Sequence, residues 1–379
     1  MRMQSRCART RGATHFKVRL GWGEAICAPT NCKFVVPAVV LVAVATGAFG
    51  ASTVSAAANP VAAASVYPPS PIPAKSVSLV PTRGTVTVHD GAGLSAALAS
   101  AAPGTTIKLA NGIYTARQQF TATTACTVAA PCRLQGGRGA VIDGTGVGGH
   151  YGLHLSHASN WTLLGFTVTN ATKGIVLDRS SRNVIDGVDV HKIGAEGIHL
   201  RAMSSDNLIK ASTVHDTGKT TPPYGEGIYI GSAVSNWATY SGGKPDTSNR
   251  NVVTGNSVWA TGAESVDIKE GTTGGTLSHN TFDGADMAGK NGADSWVDVK
   301  GNSWMISGNT GTNALLDGFQ THVAAPGWGQ HNQFSANTAH VNSTGYGFRF
   351  QKATTTGNVL RCDNAVTAAG LGMANQLCT

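Results

Sequence analysis

One short phrase recurs down this chain, and it constrains the fold more than any other feature. It reads polar, glycine, apolar, variable, apolar, polar. It appears as "YGLHLS" from Tyr151, "KGIVLD" from Lys173, "EGIHLR" from Glu196 and "EGIYIG" from Glu226. It continues as "ESVDIK" from Glu264, "SWVDVK" from Ser295, "DGFQTH" from Asp317 and "YGFRFQ" from Tyr346. The first starts are 22 and 23 residues apart, and later intervals lengthen where loops are inserted. Units this short cannot bury an apolar face alone, so each must be one coil stacked on its neighbours. Propeller blades need about 40 residues each, which the shorter spacing denies. A second phrase lies between the first ones and ends in Asn at Asn256, Asn280, Asn309 and Asn337. Amides at one turn position are expected to hydrogen-bond from coil to coil.

Glycine is abundant at 48 residues, with 13% charged and 6% aromatic residues. No collagen triplets occur, so the glycines serve turns between many short strands. The stretch "GLSAALASAAPGTTIKLANGIYT" predicts a short amphipathic helix, a break at Pro103 and Gly104, and a strand around Ile107. It resembles the cap that opens right-handed parallel β-helices. The predicted fold is all-β: a single-stranded right-handed parallel β-helix with a short N-terminal capping helix, over residues 84–379.

Residues 1–56 read as a signal or targeting segment. Basic residues run to Lys33, an apolar stretch follows from Phe34, and small residues offer a cut after Ala56. An uncleaved anchor is the alternative, but about 17 apolar residues are marginal for a span. Residues 57–83 read as an Ala/Pro-rich linker. A secreted, extracellular monomer with no membrane contact after signal cleavage is expected. The leader holds Arg2, Arg6, Arg9, Arg11, Lys17, Arg19 and Lys33 against Glu24, which is seven minus one, or +6. The whole chain is +8, so the remainder is +2, and a nucleic-acid partner loses its support. Of seven cysteines, Cys7, Cys27 and Cys32 lie in the leader. Cys126 with Cys132 and Cys362 with Cys378 are spaced as two local disulfides, and neither pair has a zinc spacing.

Laying the phrases on one another gives columns. The third and fifth places, from Leu153 and Leu155 through Val297 and Val299, should fill the tube, and the second, fourth and sixth should face outward. The first column reads Glu196, Glu226 and Glu264 over consecutive rungs, with Asp317 two rungs on. The fourth includes His199, Tyr229, Asp267, Asp298, Gln320 and Arg349, and the sixth Asp178, Arg201, Lys269, Lys300 and His322. Stacked carboxylates repel. They are either a solvated edge relieved by Lys and Arg or a cation site, since calcium takes oxygen ligands. Two stacked lysines are either a salt-bridge ladder or a base tuned by its neighbour. Glu270 has no partner in these columns and is expected to face solvent.

These rungs resemble the alginate lyase and chondroitinase B family of β-helix polysaccharide lyases. In that family a calcium-ligating Glu precedes the Lys base by five residues, as Glu264 precedes Lys269 in "ESVDIK". One rung on, "VDVKGN" places Lys300 where the family has Arg. Gly262 stands where a second Glu is expected, and Glu226 where an Asn is. The resemblance implies calcium-assisted β-elimination on an acidic, uronic-acid-containing polysaccharide. Glu196, Glu226 and Glu264 would hold calcium. Lys269 would be the base, aided by Lys300 and His322. Arg201, Tyr229, Asp267, Asp298 and Arg349 would contact substrate, with Trp237, Trp296 and Trp328 available to stack on sugars. The insertions "GSAVSNWATYSGGKPDTSNR", "TPPYG" and "AAPGWGQHN" would wall the cleft. A glycoside hydrolase is the rival enzyme, with Asp267 and Asp298 as its paired acids. A uronan epimerase shares the proton abstraction, and a non-catalytic carbohydrate-binding β-helix would only bind.

Overall fold

A computed structural model describes residues 16–20, 23–27 and 84–379, apart from residue 290. The first two segments, Phe16–Leu20 and Gly23–Cys27, form an antiparallel pair within an N-terminal unit. The rest of the leader and the linker lie outside the described residues, as does the proposed cleavage point.

From Thr85 onward the chain coils through three parallel sheets of 11, 10 and 10 strands. Each coil lays one strand on each sheet, so sequence neighbours turn corners and hydrogen-bonded neighbours lie a coil apart. The first sheet opens with Thr85–Val88, the second with Gly112–Tyr114 and the third with Phe120–Ala122. The recurrent phrases form the third sheet. Its register pairs Val176 with His199, His199 with Tyr229, Tyr229 with Asp267, and Asp267 with Asp298. The columns drawn from sequence are therefore columns in space.

The capping helix, α1 (Gly91–Ser100), starts at Asp90, whose side chain accepts the Gly93 N–H at 2.7 Å. Leu94 and Leu98 are buried and close the first coil. Gly91 admits no side chain, because a Cβ there would lie 1.7 Å from the Thr115 carbonyl oxygen. Disulfides join Cys126 to Cys132 and Cys362 to Cys378.

Inside the tube, every apolar third- and fifth-place residue from Leu153 to Val299 is fully buried. Beside them runs an amide ladder. Asn256, Asn280, Asn309 and Asn337 each pass a side-chain N–H to the next amide oxygen at 2.9 Å, and Asn364 accepts the last. A second ladder, Asn183 to Asn207 to Asn251, escaped the sequence reading. Trp296 does not stack on sugars. It occupies the second place, glycine's place in most other rungs, and is fully buried. Gly311 and Gly318 make room: a Cβ on either would lie 2.3 or 2.7 Å from the indole. The indole N–H donates to the Thr312 carbonyl at 2.8 Å.

Candidate active site

The middle of the third sheet does not face open water as its alternation predicts. Tyr229, Asp267 and Asp298 are all buried, as are Glu196, Glu226 and Glu264 at the preceding bend. The insertions account for much of this. Residues 222–224 form a tight turn, and 234–240 form a short helical segment. Two buried carboxylates tie the second insertion down. Asp246 accepts the N–H groups of Ala202 and Met203 at 2.8 and 2.7 Å and the Ser232 hydroxyl at 2.6 Å. Glu270 accepts the Val234 N–H at 2.6 Å. Glu270 is thus an anchor rather than a solvated charge.

A cleft of about 520 Å³ opens between these insertions and the sheet. Lys269, Tyr229, His199, Glu196, Glu226 and Lys173 are its functional walls, with Tyr224, Tyr240 and Asn236 from the insertions. The third insertion, with Trp328, does not line it, while Trp237 donates its indole N–H to the Ser232 carbonyl at 3.0 Å. Lys269 Nζ lies 2.5 Å from Asp267 Oδ2 and 4.9 Å from the centre of the Tyr229 ring. Burial, with the charges of Asp267 and Glu226, raises the Tyr229 phenol well above its usual range. It stays protonated and can donate.

Other expected site residues are near the cleft but turned to different tasks. Lys300 bridges Asp267 at 2.8 Å and Asp298 at 2.6 Å. Burial opposes its charge, but Asp267, Asp298 and Glu264 outweigh burial and hold its pKa well above normal. Lys300 is thus held as a cation between two carboxylates. His322 pairs with Asp298 at 2.8 Å. Burial would lower its pKa, but the hydrogen bond and charge of Asp298 raise it. Asp267 and Asp298 are therefore clamped between cations rather than presented to substrate. Arg201 is buried and spends its fork on Asp178, at 2.7 and 3.1 Å, and on the Tyr240 hydroxyl at 3.1 Å. Arg349 is exposed, reaches Asp317 at 3.5 Å and does not line the cleft.

The acidic column also divides. One oxygen each from Glu226, Glu264 and Asp267 lie within 4.8 Å of one another, a group with the spacing to hold a metal ion. Glu196 is outside it, paired instead with Lys173, and His199 Nδ1 approaches it at 3.4 Å without a hydrogen bond. Burial works against ionising Glu196, but His199 and Lys173 outweigh it and hold the pKa at about 2. Glu226 has less relief, from Lys269 alone. Burial and the charges of Asp267, Glu196 and Glu264 push its pKa well up, and Glu264 rises to about 7 for similar reasons. His199 Nε2 lies 3.0 Å from the Gly231 carbonyl, and burial lowers the ring's pKa against the opposing pull of Glu196.

Lys173, Tyr224 and Tyr240 were missed from sequence. Lys173 occupies the first place of its rung, one coil before Glu196, so its column was the available signal. The tyrosines sit on insertions, where no period exists to align them.

A family model described as a Pel9A-like, right-handed β-helix region matches residues 81–232. Similar solved structures include an alginate lyase from Paenibacillus sp. str. FPU-7, 34% identical with a TM-score of 0.72. That match covers 78% of this chain and 99% of the other. The pectate lyase Pel9A is 18% identical with a TM-score of 0.53, covering 78% of this chain and 80% of its own. ORF18 of Geobacillus virus E2 is 14% identical with a TM-score of 0.51, covering 76% and 58%. The latter two share the fold alone. None of the curated proteins matches the chain.

Proposed function

This chain belongs to the pectate-lyase-like superfamily of right-handed parallel β-helices and is a polysaccharide lyase. On that premise we propose that it cleaves an acidic, uronic-acid-containing polysaccharide by β-elimination, with Lys269 as base and Tyr229 as acid. One observation carries the assignment: the amine and the phenol meet in the wall of a single cleft, 4.9 Å from nitrogen to ring centre. Lys269 Nζ, after giving one proton to solvent, takes the proton α to the substrate carboxylate. The electron pair forms the carbon–carbon double bond and expels the glycosidic oxygen. Tyr229 delivers its hydroxyl proton to that oxygen. Solvent then returns the proton from Lys269 to the phenol. Lys173 is the cation in the wall best placed to meet the substrate carboxylate and steady the charge that develops on it. Alginate is the first substrate to test, because the Paenibacillus relative is an alginate lyase.

The resemblance called for calcium, and Glu226, Glu264 and Asp267 are where it would sit. The residues fit it poorly. Asp267 gives both oxygens to lysines, Oδ2 to Lys269 and Oδ1 to Lys300. That leaves two carboxylates for an ion that takes 6–8 oxygens in general. The two lysines on Asp267 already offset part of the repulsion in the column. We propose that elimination proceeds on the chain's own cations.

Export and monomeric action complete the proposal. Two disulfides suit an oxidising compartment, and one chain supplies the whole cleft. The deciding experiment is digestion of alginate, pectate, glucuronan and glycosaminoglycans, read by the ultraviolet absorbance of the unsaturated sugar. Absorbance with at least one uronan, lost in Lys269→Ala, is expected. New reducing ends without absorbance would mean hydrolysis. Exchange of the α-proton without cleavage would mean epimerisation, and binding alone would mean a non-catalytic module.

A further inference from the structure

The second sheet carries an unrelated cluster on its outer face. Asp189 and His191 alternate along the strand Asp189–Ile193. His215 pairs in register with His191, and Trp259 with His215. The rings stack: His191 on His215 at 5.0 Å and His215 on Trp259 at 4.4 Å. They border a shallow cleft of about 650 Å³. One ligand atom each from Asp189, His191 and His215 lie within 4.8 Å of one another, and all three side chains are part-exposed. We propose that these three residues bind a divalent transition metal of the zinc class, with its remaining positions open to water or a sugar oxygen.

The hydrogen bonds around His215 carry the argument. Its Nδ1 lies 2.9 Å from Asp216 Oδ2, and Asp216 is held in turn by Lys219 at 2.7 Å. A neutral ring has one N–H. With that N–H given to Asp216, Nε2 turns a lone pair on Asp189 Oδ1 at 3.4 Å. Two acceptors then face each other, and a cation between them resolves the conflict. His191 Nδ1 approaches the other Asp189 oxygen at 3.2 Å, and Thr213 donates its hydroxyl to Asp189 Oδ1 at 2.7 Å, which orients the carboxylate. A carboxylate behind a histidine, with a hydrogen bond fixing the ligand acid, is the usual outer support of a metal site. Two imidazoles and one carboxylate suit zinc, copper or nickel better than calcium. The rings lie only 12° from parallel, so one must turn to ligate, and their exposure leaves room for that. The competing occupant is a proton, with a charged His215 bridging both carboxylates.

The test is calorimetric titration of the untagged, chelator-stripped protein with zinc chloride at mildly alkaline pH. One ion per chain is expected, with a rise in thermal midpoint. His191→Ala and His215→Ala should each abolish both signals. Asp216→Asn should weaken binding about 10- to 100-fold. Trp259→Phe should leave zinc binding unchanged but remove part of the fluorescence quenching by copper. Midpoints measured without metal establish that each variant folds. Alginate cleavage should not change in any of them. The proposal is overturned if folded wild type gives no saturable heat, which leaves the proton as occupant. It is equally overturned if the His191→Ala/His215→Ala double variant binds zinc as tightly as wild type.

Discussion

Two polar columns run buried through the same β-helix, and they are built on opposite rules. The amide ladder from Asn256 to Asn364 passes hydrogen bonds from coil to coil and leaves none of its side-chain atoms without a partner. The charged column of the third sheet does the reverse. Among the described residues, the buried side-chain atoms without a partner are Glu196 Oε2, His199 Nδ1, Glu226 Oε2, Ser265 Oγ and Glu270 Oε2. All five lie on or beside the rungs that wall the lysine cleft. A buried polar group without a partner costs about 1–3 kcal/mol. The ladder spends its polar atoms on stability, whereas the charged column leaves several of its own without a partner beside the proposed site.

Variants should separate the two columns, and the largest effect belongs to the charged one. Lys269→Ala should lower the elimination rate to background while leaving the unfolding midpoint within a few degrees of wild type. Tyr229→Phe removes only a hydroxyl and should cost about 10²–10⁴-fold in rate. The contrast breaks if either variant unfolds the protein. In the ladder, Asn309→Ala should do the opposite. It strands the Asn280 N–H and the Leu277 carbonyl, now held at 3.0 and 2.9 Å. Denaturant titration should show a loss of roughly 2–5 kcal/mol, with turnover per folded molecule unchanged.

A smaller effect comes from pH. Glu264 is raised to about 7 from an ordinary 4.5. A raised carboxyl stabilises the fold below its unfolded pKa, and that contribution is lost as pH rises through the folded value. Stability should therefore fall between about pH 4.5 and 7, by up to 1.4 kcal/mol per unit. Glu264→Gln should flatten that slope, and an unchanged slope would remove Glu264 as its source. The smallest expected effect is that of chelation. EDTA should leave the elimination rate unaltered, and loss of activity with rescue by calcium would return the metal to Glu226 and Glu264.

Much of the fold was legible because a coil repeats its own grammar. Once Leu153 and Ile175 share a place, the register follows, and Tyr229 over Asp267 over Asp298 could be drawn from sequence. Lys269, Tyr229 and Glu226 were read for the same reason. What failed was the inference that outward means exposed. That step needs the insertions, and how a segment such as 232–246 packs depends on Asp246 and Glu270, which carry no period. The partners of Arg201 and Lys300 could not be read from sequence, because a cation's pairing depends on which carboxylates reach it first. Trp296 broke the glycine column, and Gly311 on another sheet, with Gly318 on the next rung, explains how it fits.

That indole has one more consequence. Most coils are near-copies, so a folding chain could thread one coil out of step and still find apolar partners. Trp296 forbids this at its own position. A one-coil slip would drive the indole against a residue with a side chain and leave a hollow beside Gly311. The tryptophan thus acts as a counting mark, letting a repetitive chain tell one turn of its spiral from the next.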